Sequence, residues 1–405
     1  MIPIDDARAT VLSACRPLGL VDVEFHDMVG RVLGQDVVAT ENVPPFANSA
    51  VDGFGVRAVD VERVPATLRV VATIAAGAAP SVTVGVGEAV RIMTGAVIPP
   101  GVDGVVMVED SQMVDDDHVR LDKSVPSGGA IREEGSDVRA GDTVFTAGAV
   151  LNAAGVGVLA SINVRHVRAF PRAKVALLST GDELVVDGSP LAPGQIRESN
   201  LSMLDRLIVA TGCEVVNLGV VRDDEETLVQ VLRSAAEDCD AIVTSGGVSM
   251  GDFDVVKAVL SRHAEMNWMQ LAIKPAKPFA FGLWSTSGGR TVPIFGLPGN
   301  PVSSLISYEL LARPALRKMM GHTRDLIRPK VRALLDAPIR RKRDGKVHYV
   351  RVNGSFGPDG RLHVADTGPQ GSHQLAATAL ANGLAEVPDG DGLDVGTEVD
   401  VLVID

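Results

Sequence analysis

Between Lys174 and Gly321 short β-branched runs alternate with segments whose apolar residues recur at helical spacing, and this alternation limits the fold more than any other feature. KVALLST, 174–180, reads as a strand. Asn200 is placed to cap a helix carrying Leu201, Leu204, Leu207 and Ile208, and Gly212 to stop it. CEVVNLGVV, 213–221, is a second strand. The acidic residues Asp223 to Glu226 open a helix with Leu228, Val231, Leu232 and Ala235 on one face, as the helix dipole favours, and DAIVTS, 240–245, follows as a third strand. A βαβαβ order of this kind implies a mainly parallel sheet with helices on both faces, whose ligands bind at the carboxyl ends of the strands.

The flanking regions read differently. Residues 1 to about 170 begin with a helix carrying Ile4, Ala7 and Val11, then break into short strands such as TLRVVATI and VGEAVRIMTG separated by Pro and Gly. After Arg328 the strand-like runs KVHYVRV, RLHVADT and EVDVLVI, joined by Gly, Pro and Asp turns, indicate a small separate β domain. The boundaries fall near Pro171 and Pro329, where the pattern changes.

Composition narrows the function. The 51 acidic residues outnumber 38 basic ones, a net charge of -13, which argues against a protein that coats nucleic acid, because phosphate neutralisation needs surplus Lys and Arg. With 3% aromatic residues, stacking platforms for single strands are few. Cys15, Cys213 and Cys239 are odd in number and form neither a disulfide framework nor a CxxC pair, so a reducing cytoplasm is expected. The start, MIPIDDARAT, lacks a basic and apolar leader, and no run approaches the ~18 apolar residues of a membrane span.

Several segments carry chemistry. SGGVSMGDFD, from Ser245 to Asp254, follows a strand and precedes a helix; Gly246, Gly247 and Gly251, with Ser249 between them, are expected to free backbone N–H groups for phosphate oxygens. Asp252 and Asp254 end the loop, and Asp223 approaches from another strand end; carboxylates beside phosphate point to Mg²⁺, although a plain helix cap accounts equally for either Asp. LSTGDEL places Glu183 at a further carboxyl end. In IKPAKPF, Lys274 and Lys277 are each followed by a stiffening Pro, which presents two cations to a compact oxyanion or leaves them solvated. GLPGNPVSS offers Pro298, Asn300 as cap, Pro301 at the first helical position and Ser303 behind it. PPFANSAVDGFGVR with Asp52 and RIMTGAVIPPGVDGVV with Thr94 read as hairpin turns or as site residues. From Arg328 to Arg351 nine Lys or Arg stand against two Asp, a solvated face or an anion attractor.

In this order the segments SAVDGFG, RIMTGAVIPPGVDGVV, LSTGDEL, IRESN, TSGGVSMGDFD, IKPAKPFAFG, LPGNPVS and GPQGSHQLAATALANGLAEVP resemble the molybdopterin molybdenumtransferases, the MoeA and gephyrin E-domain family, over essentially the whole chain. The resemblance implies a multidomain α/β plus β fold: an N-terminal stem at 1–170 with an inserted β-rich domain at about 43–142, a central MogA-like α/β domain at 171–327, and a C-terminal β barrel at 328–405. It implies a cytoplasmic homodimer whose active site is shared, with Asp52 and Thr94 of one subunit facing the α/β domain of the other. The reaction implied is transfer of molybdate to adenylylated molybdopterin with release of AMP. Asp52, Thr94, Glu183, Asp223, Asp254, Lys274, Lys277, Pro298 and Pro301 match family functional positions; Arg351 and Ser372 match positions that help receive molybdate. In that setting Mg²⁺ at Asp223 or Asp254 offsets phosphate charge, the cations hold the oxyanion, and Glu183 moves protons.

Two departures stand out. Gln270 stands where relatives often have Lys, which lowers the pocket's positive charge and leaves open whether activity is reduced, and Ala276 replaces a usual Gly, which is expected to be harmless. The resemblance also raises a gephyrin-like scaffold that binds a membrane or cytoskeletal partner, and the preceding adenylylation step, whose enzymes are little more than the α/β domain. A molybdopterin adenylyltransferase and molybdoenzyme chaperones are the partners implied for the transferase.

Overall fold

The computed structural model describes residues 1–222, 224–247 and 255–404. They form two compact units, one of Met1–Val21, Gly30–Gly34 and Arg168–Asp405, the other of Asp22–Val29 and Gln35–Val167. No helix among the described residues is long and apolar enough to cross a membrane.

The first unit is built on a six-stranded sheet of β1 (Lys174–Thr180), β2 (Glu214–Val221), β3 (Ala241–Ser245), β4 (Ala264–Gln270), β5 (Pro278–Ser285) and β6 (Thr291–Leu297), in the order β2-β1-β3-β6-β5-β4. The first four in that order are parallel; β5 runs antiparallel to both β6 and β4. β1 shows why its run is almost continuously apolar. Val175 and Leu177 pack on one face with Ala7 and Val11 of helix Ile4–Ala14 and Leu204 and Ile208 of helix Asn200–Ala210. Ala176 and Leu178 pack on the other with Leu228 and Leu232 of helix Glu225–Asp238 and Val259 of helix Val255–His263. A strand covered on both faces has no place for an alternating polar residue.

Helix starts partly follow the sequence expectations. Asp224 caps the helix at Glu225, its carboxylate accepting from Thr227 N–H at 2.8 Å. Asn200 does not cap: its helix begins with Leu201 N–H donating to the Glu198 carboxylate at 2.8 and 3.0 Å, while Asn200 turns inward. The physical reason is reach, since Glu198 precedes the first free N–H groups and brings a full negative charge to the positive helix end.

Strands Lys330–Leu335, Val347–Phe356, Leu362–Asp366, Gly383–Val387 and Glu398–Val403 close into a five-stranded barrel around Leu335, Val350, Val352, Val364 and Val401. The barrel has this core of its own, and Tyr349, Leu384 and Leu402 in addition join the core of β1 and helix Ile4–Ala14. Ile273–Lys274 adds a short parallel strand to its sheet beside Val347–His348.

In the second unit, six strands run in the order Gly104–Met107, Gly53–Val56, Glu88–Ile92, Ala66–Ile74, His118–Leu121 and Ser111–Met113, all antiparallel except the Ala66–Ile74 and Glu88–Ile92 pair. Alternate residues feed two small cores, Phe54, Val56 and Leu121 on one side and Ile74, Val90 and Ile92 on the other. A further helix, Ala153–Ser161, is capped by Asn152 and is not announced by the apolar pattern, because its Ala, Gly and Val residues show little periodicity.

His322 is buried just after helix Arg313–Met319, next to Arg317 at 3.3 Å, and burial followed by the Arg317 and Arg313 charges pushes its pKa from 6.5 down to about 4. The unfolded chain therefore takes up a proton that the native state refuses. The associated stability is complete above about pH 6.5 and is lost as pH falls toward about 4. Urea unfolding of His322→Asn should show a shallower stability slope than wild type between these values; equal slopes would remove His322 from acid sensitivity.

Candidate active site

The order β2-β1-β3 makes the chain leave β1 in one direction and return on its other side, so the carboxyl ends of β1 and β3 diverge. A cleft of about 680 Å³ opens there. Ser179, Thr180, Gly181 and Glu183 come from β1 and its turn; Ser245, Gly246 and Gly247 from β3; Pro298, Gly299, Asn300 and Pro301 from the turn after β6. Three glycine-bearing segments, far apart in the sequence, thus meet at one point.

The described glycines of the loop have a steric reason. Gly246 has φ +94° and Gly247 φ +73°; a Cβ on Gly246 would lie 2.9 Å from the Thr180 carbonyl, and one on Gly247 2.3 Å from the Val256 side chain. One expectation changes here. The Gly246 N–H is committed to the Leu297 carbonyl at 3.0 Å, which fastens β3 to β6, so it does not face a ligand. Ser249, Gly251, Asp252 and Asp254, and likewise Asp223, lie outside the described residues.

The cleft is held by a polar latch for which the sequence pattern suggests no role. Buried Asn200 donates from Nδ2 to Ser245 Oγ at 2.8 Å and to the Gly299 carbonyl at 2.7 Å, joining two cleft walls. Ser179 Oγ donates to the same Glu198 carboxylate that starts the helix, at 3.0 Å. The signal is present in IRESN, polar residues crowded before a helix; their partners are remote in sequence and invisible to periodicity.

At helix Pro301–Ser307, Asn300 occupies the cap position but its side chain makes no capping bond. The Val302 N–H instead donates to the Ser372 carbonyl at 3.1 Å, because the loop from the barrel lies across the helix start. Ser372 thereby contributes its backbone to the helix start, and Ser303 is buried on that helix. The same loop receives Arg351, whose Nη2 donates to the Pro369 and Gly371 carbonyls at 2.8 and 3.3 Å. Arg351 is fully buried, its Nε and Nη1 have no hydrogen-bond partner, and burial alone depresses its pKa. A buried guanidinium with unspent donors is costly unless an anion arrives.

Its basic neighbours behave otherwise. Arg328 pairs with Glu309, Lys330 with Glu386, Arg332 with Asp400, Arg340 with Asp394, Arg341 with Asp344 and Asp389, and Arg343 with Asp391. Most of the run is thus neither a bare solvated face nor a general anion attractor, and Arg351 differs from it in being buried with no carboxylate partner. Lys274 and Lys277 are exposed, with Lys277 immediately before the cleft-lining Pro278. Between them Ala276 is buried at φ +72°, a backbone state natural to glycine, so the Ala is tolerated at a strain of order 1 kcal/mol rather than being neutral.

In the second unit Asp52 and Thr94 are brought together across 42 residues. Thr94 N–H and Oγ donate to Asp52 Oδ1 at 2.7 and 3.0 Å, and these bonds, the backbone one first, hold the carboxyl below its usual range. Both residues are exposed at a turn, so Asp52 is more than a hairpin residue: it is an ionised carboxylate fixed in place.

Family profiles cover nearly the whole chain: the MoeA N-terminal region (domain I and II) matches residues 2–163, a probable molybdopterin binding domain 176–318, and the MoeA C-terminal region (domain IV) 332–404. A molybdopterin molybdenumtransferase of Haemophilus influenzae is 35% identical over 383 residues, 94% of this chain and 93% of that protein. This chain belongs to the MoeA family. Molybdopterin molybdenumtransferase 2 of Mycobacterium tuberculosis is 37% identical over 410 residues, 97% of this chain and 96% of its own. The crystal structure of a molybdopterin biosynthesis MoeA protein from Pyrococcus horikoshii superposes with a TM-score of 0.79 at 30% identity, covering 100% of this chain and 99% of that one. The central α/β domain and closed barrel found here are the fold of that family.

The crowding at Gly247 carries a direct consequence. Gly247→Ala should destabilise this MoeA-family protein by about 2–3 kcal/mol in denaturant titration, from left-handed strain plus the contact with Val256. A change below ~0.5 kcal/mol would mean the cleft wall yields freely.

Proposed function

We propose that this chain inserts molybdenum into adenylylated molybdopterin, taking up molybdate and releasing the finished cofactor and AMP. The observation that carries this reading is Arg351, a buried cation with unspent donors. The loop that receives it also supplies the carbonyl at the start of helix Pro301–Ser307, whose first residue lines the switch-point cleft. The full-length similarity to proteins named for this activity supports it further.

The division of labour follows from the chemistry of each group. Gly247 and the loop continuing to Asp254 cradle the pyrophosphate of the adenylylated pterin, with Pro298, Asn300, Pro301 and Ser303 as the opposite wall. Lys274, Lys277 and Arg351 hold the molybdate dianion, a compact oxyanion that fixed cations recognise by charge-assisted hydrogen bonds. Glu183, which lines the cleft, takes protons to the molybdate oxygens that leave as water. Hard oxygen donors of this kind suit Mg²⁺, which takes one or two protein carboxylates with phosphate and water oxygens; no group of three His, Cys, Asp or Glu side chains is placed for a metal among the described residues. Asp223 and Asp254 would then hold the ion, and its chemistry there is to offset phosphate charge. Asp52 and Thr94 complete the site in a cytoplasmic homodimer, one subunit supplying this pair to the cleft of the other.

Purified protein given molybdate, Mg²⁺ and adenylylated molybdopterin should release AMP with molybdenum incorporation, and Asp254→Ala should abolish it. No product from wild type, or unchanged turnover in the variant, rejects the assignment. Light scattering at micromolar concentration should show a dimer; a monomer would leave Asp52 and Thr94 without a partner cleft.

Arg351→Met separates binding from folding. Removing an uncompensated buried charge should leave stability unchanged or raise it by about 1–4 kcal/mol, while turnover with molybdate collapses. Added molybdate should raise the Tm of wild type and not that of the variant. Strong destabilisation of the variant would show that Arg351 serves the fold.

A further inference from the structure

Lys274 reaches its place through the barrel. The strand Ile273–Lys274 pairs in parallel with Val347–His348, so that Lys274 stands opposite His348, and the Val347 N–H donates to the Ala272 carbonyl at 2.9 Å. Directly paired residues of neighbouring strands emerge on the same face about 5 Å apart. The His348 imidazole is therefore a side-chain neighbour that the barrel offers Lys274, and the Lys274 charge is felt at it.

The imidazole also meets an anion. His348 Nε2 lies 3.2 and 3.1 Å from the two carboxylate oxygens of Asp344. Arg341 Nη2 donates to Asp344 Oδ1 at 2.7 Å, and Lys346 Nζ lies 3.7 Å from Oδ2. Among the described residues Lys274 makes no ion pair, although His348, the residue paired with it, holds Asp344; the charges acting on Asp344 are those of His348, Lys346 and Arg341. A flexible lysine stem next to a carboxylate ordinarily closes on it. The charges felt by His348 are consistent with an imidazole lying between the two: burial, the largest influence, makes the net direction of its pKa downward, while Asp344 pulls it up and Arg341 and Lys274 push it down.

We propose that His348 is a positioning residue for oxyanion capture, an insulating imidazole that occupies the Asp344 carboxylate and leaves the Lys274 ammonium free for its oxyanion. This rests on the molybdate-transfer reading above. The neutral ring donates to Asp344 and presents no competing negative charge to Lys274. Arg341, with its side chain buried and also bound to Asp389 at 2.7 Å, holds Asp344 from the opposite side, so that the carboxylate is satisfied without the lysine. Removing the imidazole would open the space between Lys274 and Asp344, and the lysine would turn from the substrate to the protein.

The test is steady-state molybdenum insertion with saturating adenylylated molybdopterin and varied molybdate. His348→Ala should raise KM for molybdate by about 2- to 5-fold, the size of an exposed ion pair, with kcat changed less than about 2-fold. His348→Gln, whose amide still donates to Asp344, should retain the wild-type KM. The deciding variant is His348→Ala combined with Asp344→Asn, in which the competing charge is gone: KM should return toward wild type. A KM that stays raised in the double variant, or that is unchanged in His348→Ala, overturns the insulating role while leaving the transferase reading intact. A wild-type protein without insertion activity overturns both. If His348→Ala fails to fold, the Gln variant and Asp344→Asn alone, each expected at wild-type KM, decide the same point, and a raised KM in either rejects the proposal.

Discussion

The two-sided burial of strand Lys174–Thr180 is the constraint on which the first unit rests. Val175 and Leu177 must be covered on one face and Ala176 and Leu178 on the other, which requires helices on both sides and parallel neighbours at both edges. Once neighbours stand on both edges, connections must leave in opposite directions, and the carboxyl ends of the first and third strands part. The cleft is thus a consequence of packing. Its polar lining is the place where packing stops, and the Asn200 latch holds the opening at a set width by joining Ser245 to Gly299.

Electrostatics divides the cations into two populations. Six of those from Arg328 to Arg343 are spent on carboxylates of the barrel and its neighbouring helix, and the exposed pairs among them, such as Arg340 with Asp394 and Arg343 with Asp391, contribute little beyond solubility and register. Arg351 is left with carbonyl partners only, and Asp344 is held by His348, which on the proposal above keeps it from Lys274. An acidic protein that must hold a dianion faces this problem everywhere: its own carboxylates compete for each cation. Burial in one case and an interposed imidazole in the other are two physical ways of withholding a cation from the protein so that it remains available to a ligand.

Much of the α/β domain is legible in the sequence because its signals are local. Lys174–Thr180 as a strand, the Asp224 region as a helix start and the apolar faces of two helices all follow from period and capping. Of the antiparallel strands Ala264–Gln270 and Pro278–Ser285, the pattern reveals only a stiffened extended segment, since prolines mask a strand that begins at one. Spacing points to Asn200 and Asn300 as caps, yet in both cases another group satisfies the helix start, Glu198 by reach and the Ser372 carbonyl by crossing in front of it. Nor is the barrel as separate as its alternation suggests, because alternation shows which residues face inward but not that Tyr349, Leu384 and Leu402 face another layer's core.

The sequence by itself determined the layer architecture, the positions where glycine is obligatory and the succession of motifs that marks a MoeA-family chain, because these depend on local backbone preference and on residue order. Tertiary structure decided which of those residues act together. It placed Glu183, Gly246 and Pro301 around one cleft, fixed Asp52 to Thr94, buried Arg351 without a carboxylate, and paired His348 with Lys274 on neighbouring strands while its ring meets Asp344. The physical reason is that charge and hydrogen bonding act over a few ångströms in space, whereas the residues concerned are separated by tens to hundreds of positions along the chain.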